Sequence, residues 1–292
     1  MKTIKLNQFK IDQIISLKEK DTKFDLQLDK KEIEDELKRV RKKLGKFQDT
    51  IYAHGKYAVL ICIQGMDTAG KDSLIREVFK DFNSRGVVVH SFKVPTPNEL
   101  NHDYLWRHYI ALPERGKFGI FNRTHYENVL VTRVHPQYIL GENIPSVTNI
   151  DDVNEAFWEN RFEQIRNFES HITQNGTLIF KFFLHLSKDE QKNRLLRRLE
   201  KKEKNWKFSP GDLKERKLWD TYQAYYEDAI NRTSTDYAPW YIIPADDKTT
   251  ARLIVASILY EKLTSFGDIV EPELDPEIQQ HIEAYKQQLN NE

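Results

Sequence analysis

One stretch constrains this chain more than any other. An apolar run, Tyr57–Gln64, flows directly into Gly65-Met66-Asp67-Thr68-Ala69-Gly70-Lys71-Asp72-Ser73, and a helical pattern follows from Lys71 to about Phe82. The run is short, continuous and rich in Val and Ile, as a buried strand is. Strand, glycine-rich turn and helix in that order are what a phosphate-binding loop requires. Gly65 and Gly70 permit the backbone angles that turn successive N–H groups toward phosphate oxygens, so Met66, Thr68 and Ala69 lie within a phosphate cradle. The helix N-terminus adds partial positive charge and Lys71 a full one. The G-x4-G-K spacing is kept, but Asp72 stands where Ser or Thr is usual, and Ser73 comes one place late to ligate a metal in the standard way. A carboxylate inside the loop, Asp67, would repel phosphate unless a cation lies between them. It points to Mg2+, or to the place of the attacking or leaving phosphate. The bland alternative, an ordinary turn between strand and helix, is disfavoured by the order of the flanking elements.

The rest of the chain repeats the alternation. Strands are expected at 57–64, 86–92, 118–121, 177–185 and 241–244, and helices at 30–50, 71–82, 125–133, 153–173, 187–203, 213–231 and 249–266. Helix alternating with strand implies a parallel sheet covered on both faces. The expectation is a three-layer α/β fold in a single domain over 1–292, with an N-terminal extension and helix at 1–54, irregular to residue 28. No internal boundary or repeat is visible.

Charge narrows the function. Forty-five Lys and Arg balance 45 Asp and Glu, so a uniformly basic nucleic-acid binder is not expected and any polyanion site must be a local concentration of charge. The single cysteine, Cys62, excludes an intramolecular disulfide and fits a reducing compartment. No stretch reads as a signal peptide or membrane span, so a cytoplasmic protein without a membrane partner is expected. His102 and His108 have no partners at metal-ligand spacing. Trp106, Trp206, Trp219 and Trp240 read as core or hinge packing.

From Lys188 to Lys207 nine basic residues face four acidic ones. Arg194, Arg198 and Lys201 share one helix face. Beside a phosphate loop, this reads as a lid (187–212) that closes guanidiniums over phosphates; alone, it would read as a solvated charged helix. Further positive groups, Arg76, Lys80, Lys93, Arg107, Arg123, His125 and Arg133, could line a channel for a long anion, with Arg107 and Arg123 the better candidates. The strand at 118–121 leads into Asn122-Arg123-Thr124-His125-Tyr126-Glu127, where a nucleotide-binding fold of this kind carries a metal-organising acidic residue.

Taken together, Gly65–Ser73, Phe121–Val129, the basic helix with Gln191 and Arg194, Trp206–Asp212, and Thr235–Asp246 with its Ala238-Pro239-Trp240 resemble the polyphosphate kinase 2 family over roughly residues 55 to 265. The resemblance implies a P-loop kinase-like core with a helical lid. It also implies reversible Mg2+-dependent phosphoryl transfer between inorganic polyphosphate and adenine, or also guanine, nucleotides, in a homo-oligomer. The His125-Tyr126-Glu127 run resembles the subgroup that accepts both mono- and diphosphates. On that basis the amides of 66–71 and Lys71 cradle the polyphosphate end. Asp67 and residue 122 hold Mg2+, Arg123 and Arg194 clamp the transferring group, and Arg198 assists from the lid. Glu127, with Asp67 and Arg123, meets the acceptor nucleotide. The family carries Asp-Arg where this chain has Asn122-Arg123. Asn122 is therefore expected to weaken the metal site, whether as a natural variant or as a substitution made to trap a ligand. Two other readings remain open: an ATP-dependent kinase of nucleotides or small metabolites, and a non-catalytic sensor of nucleotide or polyphosphate.

Overall fold

The computed structural model describes residues 5–292; residues 1–4 of the extension lie outside the described part. The elements are α1 (Lys30–His54), β1 (Ala58–Gly65), α2 (Lys71–Val78), β2 (Val87–Ser91), α3 (Pro97–Leu100), α4 (Trp106–Tyr109), β3 (Phe118–Asn122), α5 (Glu127–Val134), α6 (Glu155–Gln174), β4 (Thr177–His185), α7 (Lys188–Glu200), α8 (Lys202–Asn205), α9 (Pro210–Lys217), α10 (Trp219–Thr233), β5 (Trp240–Pro244), α11 (Lys248–Thr264) and α12 (Pro276–Asn290). The five strands form one sheet in the order β2-β3-β1-β4-β5. All four pairings are parallel.

Alternation along β1 builds both faces. Val59, Ile61 and Ile63 join the core formed with α1, α2 and α11. Leu60 and Cys62 point the other way, into a cluster with Phe121 of β3 and Phe168 and Ile172 of α6. A strand buried on both faces is therefore apolar throughout rather than alternating, which is why its sequence signal is strong. The opposite layer continues through Phe162, Ile165, Phe183, Tyr226 and Trp240, against Val129 and Leu130 of α5.

Helix ends follow local chemistry. Asp29 accepts a hydrogen bond from the Glu32 N–H while the Asp29 N–H donates to the Glu32 carboxylate, and Gly55 at φ 68° ends α1, as a left-handed C-terminal residue does. The helix expected over 213–231 is two helices. Ser209 and Asp212 form a capping box that starts α9, with Pro210 in its first turn, and the chain breaks at Leu218 before α10. The reading of the sequence assigned nothing after residue 266, where α12 stands with no buried residue. Trp219 and Trp240 are buried as expected, but Trp206 is 77% exposed. It follows α8 in a stretch of exposed residues, so it has no core to join. No helix among the described residues is long and apolar enough to cross a membrane.

Candidate active site

The parallel sheet delivers the C-terminal ends of β1 and β3 to one edge, with Ile63 in register with Asn122. This edge is where a parallel α/β sheet builds its ligand sites. At the end of β1 the chain turns through Gly65, Thr68 (φ 67°) and Gly70 (φ 107°) into α2. A methyl group on Gly65 would lie 3.0 Å from the Leu184 carbonyl oxygen, so the close approach of β4 requires glycine there. The Ala69 N–H donates to the Met66 carbonyl at 3.0 Å and the Ser73 hydroxyl to the Gly70 carbonyl at 2.9 Å, so Ser73 acts within the loop. Lys71 folds back and donates to the carbonyls of Gly65 (2.6 Å) and Met66 (3.4 Å). Burial lowers its pKa, and the neighbouring Asp67 carboxylate opposes the shift. Its ammonium thus lies within reach of whatever the loop amides bind.

The outer side of the loop is braced by α7. Gln191 donates to the Asp67 carbonyl at 3.1 Å. Arg194 donates through Nη1 to the Thr68 and Ala69 carbonyls at 3.0 and 2.9 Å, through Nη2 to the Ala245 and Asp246 carbonyls at 2.7 and 2.9 Å, and through Nε to Glu190 at 2.7 Å. Three consecutive loop carbonyls, those of 67, 68 and 69, are thus held by α7. Arg194 was expected as a phosphate clamp on a mobile lid. Its guanidinium is instead buried, with all five N–H donors satisfied by protein. The start of α7 thus packs against the loop, whereas the stretch from about Arg197 to Lys217 has no buried residue. Arg198 is tied to Asp212 of α9 at 3.1 Å, joining α7 to α9.

The second motif wraps the other side. Arg123 is held at φ 60°, between Asp67 and Glu127 at 3.7 Å each. Burial opposes its charge, but Glu127 and then Asp67 outweigh it and hold its pKa above the usual guanidinium value. Glu127 accepts from Gln64 Nε2 at 3.0 Å, and Tyr226 donates to the same amide's oxygen at 3.4 Å. His125 and Tyr126 are fully buried and turn away from the site to Glu169, which also pairs with Lys181 at 2.7 Å.

Asn122 stands across from Asp72. Its Nδ2 donates to the Asp72 carboxylate at 2.8 Å and to Ser91 at 3.4 Å, and its buried Oδ1 has no protein partner. An amide suits this place because it can donate to Asp72, which a carboxylate cannot do. Asp72, expected among the phosphate contacts, is engaged here instead. Arg107 is also drawn off. It pairs with Glu99 at 3.2 Å, donates to the Lys93 carbonyl at 3.0 Å and lies over the Phe92 ring. Arg133 is sandwiched beside Tyr225 and paired with Asp228, so it lines no channel.

No cluster of three His, Cys, Asp or Glu side chains is present among the described residues. Asp67 in the loop, and Asp72 beside the unpartnered Asn122 Oδ1, are hard oxygen donors of the kind that suits a divalent ion such as Mg2+, which is usually held by one or two carboxylates together with substrate phosphates and water.

One group escaped the reading of the sequence. Lys248, in the first turn of α11, leans over the loop; a methyl group on Gly70 would lie 3.6 Å from its Cε and 3.8 Å from Arg194 Nη1. Burial, and then Arg194, Arg252, Arg197 and Lys204, push its pKa down to about 8. Among the described residues Lys248, Arg197 and Lys204 form no ion pair or side-chain hydrogen bond, and Arg252 Nε is buried without a hydrogen-bond partner, although Glu77 and Asp247 favour its charge. The signal was available only as Asp246-Asp247-Lys248, a run whose acidic members masked the lysine.

A sequence model of the family described as Polyphosphate kinase 2 matches residues 27–267. The chain is 45% identical over 289 residues to an ADP-polyphosphate phosphotransferase of Rhodopseudomonas palustris, covering 98% of this chain and 99% of that one. It is 48% identical over 224 residues to an AMP/ADP-polyphosphate phosphotransferase of Meiothermus ruber, covering 77% and 78%. Among solved structures, polyphosphate kinase 2 from Arthrobacter aurescens TC1 superposes with a TM-score of 0.84 at 33% identity, over 96% of this chain and 97% of that one.

Proposed function

The chain belongs to the polyphosphate kinase 2 family, and we propose that it carries phosphoryl groups between inorganic polyphosphate and both AMP and ADP, with Mg2+ as the metal. The reaction needs in-line placement and neutralisation of spread negative charge, with little covalent work by the protein. The loop amides of 66–71 bind the end of the polyphosphate chain, and Lys71 exchanges its two carbonyl partners for phosphate oxygens. Arg123, poised between two carboxylates, turns to the transferring group. Glu127, fixed by Gln64, orients the acceptor nucleotide. The lid arms joined by Arg198 and Asp212 exclude water, so that polyphosphate is transferred rather than hydrolysed. Asp67, Asp72 and Asn122 Oδ1 are the groups that would hold the divalent ion, which when bound supplies charge neutralisation at the phosphate oxygens.

The observation that carries the polyphosphate assignment is the group of four cations beside the loop, Lys248, Arg252, Arg197 and Lys204, the last three of which help hold down the pKa of Lys248. Cations pushed together repel one another, and they favour a ligand carrying many negative charges. A Lys248→Ala, Arg252→Ala double variant is expected to raise the KM for polyphosphate by at least about tenfold, because each charged hydrogen bond contributes about 1.5–3 kcal/mol. The KM for the acceptor nucleotide should stay near its starting value. The KM for polyphosphate of the unaltered protein should also rise as pH increases through about 8, where Lys248 loses its proton, because the anion binds the protonated form. Steady-state assays with polyphosphate as sole donor check both. If only ATP serves as donor, the chain is an ATP-dependent kinase.

Asn122 reads differently once Asp72 is beside it. We propose that the amide is a fitted member of the site rather than an impairment. Asn122→Asp would set two carboxylates where a hydrogen bond of 2.8 Å now stands. Like charges at that range disfavour each other strongly. Transfer is expected to slow about tenfold, equivalent to about 1.4 kcal/mol of barrier, with partial recovery at high Mg2+. Single-turnover rates of the two proteins decide the matter: a faster aspartate version at saturating Mg2+ would restore the opposite reading.

A further inference from the structure

Residues 5–26, ahead of the stretch that matches the family, form a strap along the β5 edge and α10. The Ile11 N–H donates to the Trp240 carbonyl at 2.9 Å, and Ser234 Oγ donates to the Ile11 carbonyl at 2.6 Å. Asn231 of α10 clasps Ile15 from both sides, accepting from its N–H at 3.0 Å and donating to its carbonyl at 2.9 Å. Glu227 accepts from the Leu17 N–H at 2.7 Å. The strap then reaches Thr22, which meets Asp246 twice. The Asp246 N–H donates to the Thr22 carbonyl at 2.9 Å, and the Thr22 hydroxyl donates to Asp246 Oδ2 at 2.9 Å.

Asp246 is a junction. Its Oδ1 accepts from the Ser187 N–H at 2.8 Å, at the N-cap of α7. Its carbonyl accepts from Arg194 Nη2 at 2.9 Å, and the same guanidinium holds the Thr68 and Ala69 carbonyls. We infer that Thr22 and Asp246 are positioning residues, through which the N-terminal strap sets the conformation of the phosphate loop. The hydroxyl of Thr22 holds one oxygen of a carboxylate whose other oxygen caps α7, while the backbone carbonyl of the same residue accepts from Arg194. With that oxygen released, the Asp246 backbone and the start of α7 are less firmly placed, and the loop carbonyls lose part of the brace that Arg194 gives them.

The test compares Thr22→Val, which keeps the shape and removes the donor, with Thr22→Ser, which restores the donor. One hydrogen bond from a hydroxyl to a carboxylate corresponds to a change of about tenfold. Thr22→Val is expected to raise the KM for polyphosphate about that much and to leave the acceptor KM unchanged; Thr22→Ser should return the polyphosphate KM. The melting temperature should fall by no more than about 2–4 °C. Hydrogen exchange at the Ala69 amide, which is bonded inside the loop, should speed up in the valine variant and recover in the serine one. The kinetic arm rests on the polyphosphate reading, whereas the exchange arm does not. If the unaltered protein makes no use of polyphosphate, that reading fails and Ala69 exchange alone decides the strap's role. Unchanged KM and exchange in Thr22→Val would overturn the inference. So would a loss of melting temperature that raises both KM values together and is not repaired by serine.

Discussion

Lys71→Ala is expected to lower phosphoryl transfer by about 10²–10³-fold while leaving the fold intact. The ammonium sits over the loop with two carbonyl oxygens as its partners, and the whole of its charge is available to a phosphate that replaces them. Removal of one preorganised donor from a site of developing negative charge costs about 2.7–4 kcal/mol in comparable cases. Stability should change little, because Lys71 begins α2 and the buried residues of that helix are Leu74, Ile75 and Val78. Its depressed pKa gives the same answer, since burial of an ammonium without a counter-ion in contact is tolerated rather than favourable. The measurement is a turnover assay beside a melting curve. Near-normal turnover would show that Gly65–Ser73 is not where phosphate reacts.

Arg194→Ala should damage both activity and stability, contrary to what a lid clamp would do. The substitution leaves four buried or half-buried carbonyls and Glu190 without their donor. Loss of one partner from a buried charged network costs about 3–5 kcal/mol, which lowers the melting temperature by roughly 10 °C in a chain of this size. Transfer should fall at least about a hundredfold, because the loop carbonyls of 68 and 69 are then free to turn inward against the phosphate. Arg194→Lys keeps the charge but not the fork of donors, and should lie between. A variant with unchanged melting temperature and lost activity would return Arg194 to the role of a clamp.

Much of the fold is legible because its signals are local. The apolar run of β1, buried on both faces, can be only a central strand once a glycine turn and helix follow. Five strands and the principal helices stand close to where periodicity puts them. Two errors have local explanations as well. The capping box at Ser209 and Asp212, with Pro210 in the first turn, marks a helix start that the apolar spacing of 213–231 overrode. The apolar stripe of α12, Ile278, Ile282, Tyr285 and Leu289, is exposed, and the helix adds no residue to the buried core.

The site divides along the same line. The sequence by itself marked the glycine turn from β1 into α2 with Lys71 at its end, and the Arg123 and Glu127 pair four positions apart after β3, because each of these is carried by a short run of residues. The tertiary structure decided what the long polar side chains do. Arg194 is a brace because β5 and α11 bring the carbonyls of 245 and 246 to it, 51 and 52 positions away, while the loop offers 68 and 69 from the other side. Asn122 is matched to its place because Asp72, 50 positions earlier, stands across from it. Lys248 reaches the loop only because α11 begins at the same sheet edge. A guanidinium or amide takes whichever acceptors the packed chain presents, and hydrogen-bond partners contributed by distant segments leave no spacing in the sequence to read.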